Sequence, residues 1–239
     1  MTEIQNFVDG VVDGSLSDTE VESWMRNVFE NGLSADDTVD LTHAMLHSGT
    51  VLKWPDEWKH LVVDKHSTGG IGDKVSLILS PALAACGLKC PMIAGRGLAH
   101  TGGTLDKLES LQGYDVSITP EKASEMVHTI GCMIGGQTGE IAPADKRMYA
   151  IRDVTGLIAS TALITGSILS KKAAEGLAAL VMDIKVGRAA FMQTREDAQE
   201  LAESIVTTGN GLGISTRVTL TEMDTPLGFA AGNALEVLE

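Results

Sequence analysis

The chain has 239 residues, 44% hydrophobic and 21% charged, so it can bury a sizeable core and is too apolar for disorder. Eighteen basic against 32 acidic residues leave a net charge of −14. That field repels duplex nucleic acid and anionic membranes, yet admits a small anion to a pocket with local lysines. No uninterrupted apolar run reaches the roughly 18–20 residues of a membrane span, and the acidic, polar amino terminus shows no secretory signal. Cys86, Cys90 and Cys132 are too few for a disulfide framework, which predicts a reducing, cytoplasmic compartment. Cys86-x3-Cys90 reads as two buried small hydrophobes on a helix-like stretch.

The first 50 residues are predicted to be all-helical. Ser17-x-x-Glu20 is a capping box, with Leu16 and Val21 placed as a hydrophobic staple. Its helix runs through Trp24, Val28 and Phe29 to Asn31-Gly32. Ser34 caps a second helix carrying Val39, Leu41, Met45 and Leu46. Residues 49–60 read as a linker. Leu61-Val62-Val63 then reads as a short buried strand, followed by the glycine-rich turn HSTGGIGDK and a helix over 73–86. The order repeats: Pro91-Met92-Ile93-Ala94 as strand, GRGLAHTGG as loop, 104–111 as helix. Thr119-Pro120 opens another helix, leading to a strand at Cys132-Met133-Ile134. Residues 136–144 read as a second linker and 144–176 as helix. The run ALVMDIKVG at 179–187 is the clearest buried strand. Thr194-x-x-Asp197 caps a long helix, and Arg217-Val218-Thr219-Leu220 is a last strand. The expected fold class is α/β. A helical domain (1–48 and 144–174) is expected beside an α/β domain (56–135 and 178–239) with a mixed, largely parallel sheet. Hinges are expected near 47–55, 136–144 and 171–177.

Chemistry concentrates in the two glycine-rich loops, each at a strand's carboxyl end, where α/β sheets place ligands. The first supplies the point charge of Lys65, the hydroxyls of Ser67, Thr68 and Ser76, and inward-turning N–H groups at Gly69, Gly70 and Gly72. It is neither a Walker loop nor a dinucleotide fingerprint. The second adds Arg96, His100, Thr101 and Thr104. Asp106 and Glu109 stand three apart on a helix, either as a metal-holding or acid/base pair or as a cap with a solvated face. His66, inside the anion loop, is the general acid/base candidate, and a nearby phosphate favours its protonated form. His43-x3-His47 has zinc-protease spacing but lacks the glutamate, so two histidines on an exposed face is the better reading. Arg152, Ser167 and Lys171 recur at roughly helical spacing, and Lys171-Lys172 at a helix end also suits dipole compensation.

The segments VDKHSTGGIGDKVSLILSPALAACG and GRGLAHTGGTLDKLESLQGYDV strongly resemble the thymidine phosphorylase and pyrimidine-nucleoside phosphorylase family. The likeness continues through PADKRMYAIRDVTG, LITGSILSKKAAEGLAALVMDIKVG and TPLGFAAGNALEVLE. The resemblance implies reversible phosphorolysis of thymidine and related pyrimidine deoxynucleosides, giving the base and 2-deoxy-α-ribose 1-phosphate. It implies a base-holding helical domain that closes on a phosphate-holding α/β domain, and a homodimer through the helical domain. Phosphate is the co-substrate and no other cofactor is implied. Lys65, Ser67, Ser76 and Thr104 match phosphate contacts. Arg152, Ser167 and Lys171 match base contacts, with Tyr149 and Ile164 lining the base pocket. His66 matches the histidine that stabilises the leaving base, so His66, Arg152 and Lys171 form the implied catalytic set. Met92 tilts the likeness towards the thymidine-selective branch. Lys74 stands where some pyrimidine phosphorylases use a threonine to help bind potassium, and an ammonium there implies no required metal.

The departures from the family are specific. Ala94 replaces a phosphate-binding serine, and Ala99 a glycine of the second loop. Gly156-Leu-Ile-Ala-Ser-Thr and Arg188-Ala189 differ from the usual segments. The family's first helix is expected to be missing, and the family continues beyond Glu239, so a fragment is one expectation. Two alternatives stand beside phosphorolysis. One is a phosphoribosyltransferase of the same fold, such as the anthranilate-using family, which needs magnesium. The other is a non-catalytic relative that binds nucleoside or phosphate.

Overall fold

The computed structural model describes residues 2–97 and 101–239. Three helices open the chain: α1 (Glu3–Asp13), α2 (Asp18–Asn31) and α3 (Ala35–His47). Hydroxyl caps at Thr2, Ser17 and Ser34 start them, and Ser17 and Glu20 form the reciprocal capping box. The sequence pattern marks the second and third of these individually, and the first only as part of a helical region. A short 3-10 turn (Asp56–Trp58) then leads into β1 (Val63–Ser67).

Next come α4 (Val75–Ala85), β2 (Cys90–Ala94), α5 (Thr104–Leu108), α6 (Pro120–Ile130) and β3 (Cys132–Gly136). The predicted helix over 144–176 is two helices, α7 (Pro143–Thr155) and α8 (Thr161–Ala174). Gly156, left-handed at φ +73°, ends the first, and the Ser160 hydroxyl caps the second. The chain closes with β4 (Ala179–Val186), α9 (Arg195–Gly211), β5 (Ser215–Glu222) and α10 (Asn233–Leu238).

The strands form two sheets, β1-β4-β5 and β2-β3, and all three ladders are parallel. An isolated parallel bridge, Val62↔Lys89, links the start of β1 to the start of β2. The expected mixed pairing is confined, among the described residues, to an isolated antiparallel bridge, Gly70↔Ala190. β1 lies later than the predicted Leu61-Val62-Val63, because its ladder with β4 runs through Asp64, Lys65, His66 and Ser67. Three of these side chains are ionisable, so an apolar-run reading stops short of them.

Three apolar cores organise the elements. One joins α1, α2, α3, α7 and the start of α8 around Val8, Met25, Leu41, Met148 and Leu163. The second lies on the three-stranded sheet, with Leu180, Met182, Ile184, Leu201 and Ile205, and takes in Leu169 and Ala173 from the end of α8. The third fills the space under the two-stranded sheet, with Met92, Leu105, Leu108 and Ile134. α8 therefore contributes to both the helical core and the sheet core. The cysteines part company. Cys86 is exposed at the end of α4, whereas Cys90 is buried on β2 opposite Cys132, and all three thiols are free. This corrects the reading of Cys86 as buried.

Candidate active site

β1 presents Asp64, Lys65, His66 and Ser67 in succession, so Lys65 and Ser67 share one face and Asp64 and His66 the other. The turn that follows requires glycine at Gly72. Its φ is +79°, and a Cβ there would lie 2.5 Å from Pro226 Cβ.

Lys65 Nζ is buried and makes no hydrogen bond within the described residues. Its nearest oxygens are Asp73 Oδ2 at 3.8 Å and Asp183 Oδ2 at 3.7 Å. Burial pushes the Lys65 ammonium below its usual value, against the pull of Asp73 and Asp183. Burial also opposes ionisation of Asp73, but Lys65, the Ser67 hydroxyl and Lys185 outweigh it and hold the carboxyl below its usual range. Ser67 Oγ accepts the Gly69 N–H at 3.1 Å, and Thr68 Oγ1 accepts the Lys185 N–H at 2.9 Å. Ser76 lies in the first turn of α4, and Thr104 starts α5. α5 is held beside the first loop by the buried Lys107, which donates to the Asp73 carbonyl and pairs with Glu236 Oε2 at 2.8 Å. Lys65 and Ser67 thus share a face of β1, Ser76 and Thr104 open the helices after the two loops, and the Lys65 ammonium has no hydrogen-bond acceptor among the described residues.

The second loop is fixed by its own helix. Asp106 Oδ2 accepts the Gly97 N–H at 2.7 Å and the Gly103 N–H at 2.9 Å. Glu109 holds Arg96 through two bonds of 2.6 and 2.8 Å. The Asp106–Glu109 pair therefore staples the loop, which favours the capping reading over the acid/base or metal one. Ala94 ends β2, while His100 and Ala99 lie outside the described residues. Lys74 donates to Ala230 O at 2.8 Å and pairs with the Glu239 carboxylate. Met92 is a core residue of the third cluster, so any bearing on substrate choice is indirect. Arg188 is exposed beside Asp224, and Ala189 pairs through its backbone with Ile71 and Met223. The His43 and His47 rings lie 4.3 Å apart, tilted at 56°, on an exposed face of α3.

On the helical side, Lys171 Nζ reaches Asp145 Oδ2 at 2.5 Å and Ser167 Oγ at 3.1 Å. Ile164, Ser167 and Lys171 repeat every three or four residues along α8 and share a face. On α7, Asp145, Tyr149 and Arg152 do the same. The Tyr149 hydroxyl is buried without a partner among the described residues, and the Arg152 guanidinium lies 5.9 Å from its ring. Burial pushes the Tyr149 phenol up, aided by Asp153 and Asp145. Arg152 differs most from expectation. Its Nε, Nη1 and Nη2 donate to the carbonyls of Leu157, Leu163 and Ile158 at 3.1, 3.0 and 2.9 Å. Its guanidinium holds the α7–α8 connection, the same segment that departs from the family, and keeps about two of its five N–H groups for anything else. Lys172 serves neither base nor helix dipole; it is buried in an ion cluster with Asp64 and Glu175.

His66 stands between the two groups. Burial, then Lys172, Lys171 and Lys65, holds its imidazole well below the usual range, so it is neutral at pH 7. The expectation of a protonated histidine concerns the site with phosphate beside it. A depressed imidazole also couples folding to pH. Between the depressed folded value and the ordinary 6.5, the unfolded chain binds the extra proton, so stability falls as pH drops through this window. His66→Gln is expected to flatten that limb. Urea unfolding at pH 5 and 7 checks it, and an unchanged pH slope would assign the acid limb to other groups.

Sequence reasoning missed Asp145, Asp183 and Lys107. The first was signalled by its spacing ahead of Tyr149 and Arg152, the second by a lone carboxylate within an apolar strand. A separate cleft of about 370 Å³, bounded by Phe29, Thr38, Ser160 and Thr208, contains none of these site residues. No described helix is long and apolar enough to cross a membrane.

Comparison with known proteins gives this geometry a family. The profile described as "Glycosyl transferase family, a/b domain" matches residues 59–239. Thymidine phosphorylase of Mus musculus is 51% identical over 237 residues, covering 99% of this chain and 50% of the relative. That of Sinorhizobium medicae (strain WSM419) is 53% identical over 235 residues, covering 98% and 53%. The Homo sapiens enzyme is 51% identical over 237 residues, covering 99% and 49%. The chain spans about half the length of the curated relatives it matches. Among solved structures, anthranilate phosphoribosyltransferase from Thermus thermophilus shares the fold, with TM-score 0.60 and 19% identity, covering 92% of this chain and 67% of that one. The glycine-loop α/β architecture and these matches together place the chain in the glycosyl transferase family that has this a/b domain, with thymidine phosphorylases as its relatives of about half-identical sequence.

Proposed function

We propose that the chain carries out reversible phosphorolysis of thymidine. The observation that carries this reading is the buried Lys65 ammonium without a hydrogen-bond acceptor, beside two glycine loops. A buried donor left unpaired points to a missing ligand, and an anion satisfies it best. Ser67, Ser76 and Thr104 complete the phosphate contacts, while Tyr149, Ile164, Ser167, Lys171 and the remaining Arg152 N–H groups hold the base.

A phosphate oxygen forms the new bond to the sugar's anomeric carbon as the carbon–nitrogen bond breaks, and the electron pair leaves on the base. Phosphate is already anionic, so it needs aiming rather than deprotonation. The developing charge on the base meets the Lys171 ammonium and Arg152. His66 assists as an N–H donor to the base. Closure of a helical domain onto the α/β domain would bring the two substrates together.

No metal is part of the proposal, because the Lys74 ammonium stands where the resemblance would otherwise place a cation. The free thiols support a reducing, cytoplasmic setting. Exposed Val12 on α1 and Phe29 on α2 support a homodimer through the helical face. The fold shared with anthranilate phosphoribosyltransferase does not by itself favour that chemistry, and magnesium dependence would separate the two.

The test is thymine release from thymidine and phosphate, followed by ultraviolet absorbance, with His66→Ala alongside. Phosphate-dependent release, reduced in the variant, is the expected result; a folded chain that releases nothing overturns the proposal. Ala94→Ser is expected to tighten phosphate by about 1 kcal/mol. An unchanged phosphate KM would show that this side chain does not reach the anion.

A further inference from the structure

Lys172, Asp64 and Glu175 are among the most buried residues of the chain, at 1%, 3% and 0% exposure. The Lys172 ammonium makes three bonds: to Asp64 Oδ2 at 2.5 Å, to Ile93 O at 2.7 Å and to Glu175 Oε1 at 2.7 Å. Its acceptors lie on β1, on β2 and just beyond the end of α8. A tetrahedral ammonium has three donors, so all are engaged, and three acceptors on separate segments fix its position in space.

Glu175 extends the tie. Its Oε1 accepts the Ile93 N–H at 2.8 Å, and its carbonyl accepts the Trp54 indole N–H at 2.7 Å. Cys90 Sγ lies 3.6 Å from Asp64 Oδ1. Burial and the neighbouring Asp64 raise the Glu175 carboxyl, which favours a protonated acid and a cluster without net charge. Apolar side chains of similar volume would stabilise such a site equally well, so the cluster calls for a reason other than stability.

That reason lies in the adjacent residues. Asp64 directly precedes Lys65 and His66, while Lys172 directly follows Lys171. The Lys172–Asp64 bond therefore ties the segment that carries Lys171 to the segment that carries Lys65 and His66.

We propose that the buried Asp64–Lys172–Glu175 cluster is a positioning device, which holds the end of α8, with Lys171, against the segment of β1 that carries Lys65 and His66 and so couples phosphate binding to base binding. The inference rests on the phosphorolysis reading above. It places Asp64, Lys172 and Glu175 as positioning residues, because none needs to touch substrate. The stretch near 171–177, expected as a hinge, is anchored at Lys172 and Glu175 to both sheets.

The experiment is calorimetric binding of inorganic phosphate and of thymine, each alone and each with the other saturating. In the unaltered chain, phosphate is expected to tighten thymine by about five-fold or more, the lower range of ordinary site–site coupling. In Asp64→Asn/Lys172→Met, which removes both charges together, each ligand alone should bind within about two-fold of the unaltered chain while the coupling disappears. Glu175→Gln keeps the shape and the acceptor of a protonated glutamate and should retain the coupling. Thermal melting checks folding; if the double variant does not fold, Asp64→Asn alone, which keeps two of the three Lys172 bonds, replaces it with the same expected direction. Full coupling in the folded variant overturns this inference. An unaltered chain that binds neither ligand overturns the functional reading instead.

Discussion

Lys65→Met is expected to slow thymine release by about 10²–10³-fold, the usual cost of removing one oxyanion-holding donor. It is also expected to abolish the stabilisation of the chain by phosphate. Among the described residues, Lys65 Nζ is the one buried ammonium in the site without a hydrogen-bond acceptor, so its missing partner belongs to the ligand. A ligand at 100 times its Kd stabilises a folded chain by about 2.7 kcal/mol. In a chain of this size that raises Tm by about 2–4 °C per kcal/mol. Methionine keeps the volume of the lysine stem but offers phosphate nothing.

The substitution also changes the chain without ligand. Asp73 loses its nearest cation, whereas Asp183 keeps Lys185 at 2.8 Å and the Thr221 hydroxyl at 2.5 Å. The measurement is therefore the phosphate-induced shift relative to each variant's own Tm without phosphate. A Lys65→Met chain that phosphate stabilises as fully as the unaltered one would remove Lys65 from the anion site.

The parts of this structure that were legible in the sequence are those governed by local rules. Ser17, Ser34, Thr119 and Thr194 cap helices as their spacing predicts, because capping needs only a hydroxyl and a nearby N–H. The buried run of β4 was visible because a central parallel strand is apolar on both faces. β1 was misplaced for the converse reason: its ladder runs through Asp64, Lys65 and His66, whose ionisable side chains break the apolar pattern. The site followed the same division. Residue types at the loops announced an anion, but no spacing could show that Asp145 would pair with Lys171 across two helices. Nor could it show that Arg152 would hold the Leu157, Ile158 and Leu163 carbonyls. Those bonds depend on how α7 packs against α8. The neutral state of His66 was illegible too, since it comes from burial and from lysines distant in sequence.

Two adjacent lysines show how far environment separates like residues, and their substitutions are expected to fail in different ways. Lys171 is partly exposed, with its ammonium shared between Asp145 and Ser167. In the proposed reaction Lys171→Met removes the charge that meets the departing base, so turnover should fall by about 10²-fold or more. Asp145, itself buried, loses its one ion pair among the described residues and keeps only the nearby Arg152 charge, a cost of about 3 kcal/mol, the low end for breaking a buried pair. Lys172 has no access to solvent, and its removal strands Asp64 inside the protein beside Glu175. Breaking a buried pair from one side costs about 3–5 kcal/mol, because the remaining charge loses its partner without regaining water. Against a total stability of about 5–15 kcal/mol, Lys172→Met should leave a chain that melts far below the unaltered protein or does not fold at all. Urea unfolding measures the second effect and thymine release the first. If Lys171→Met unfolds the chain while Lys172→Met melts normally, the two lysines have been assigned each other's roles.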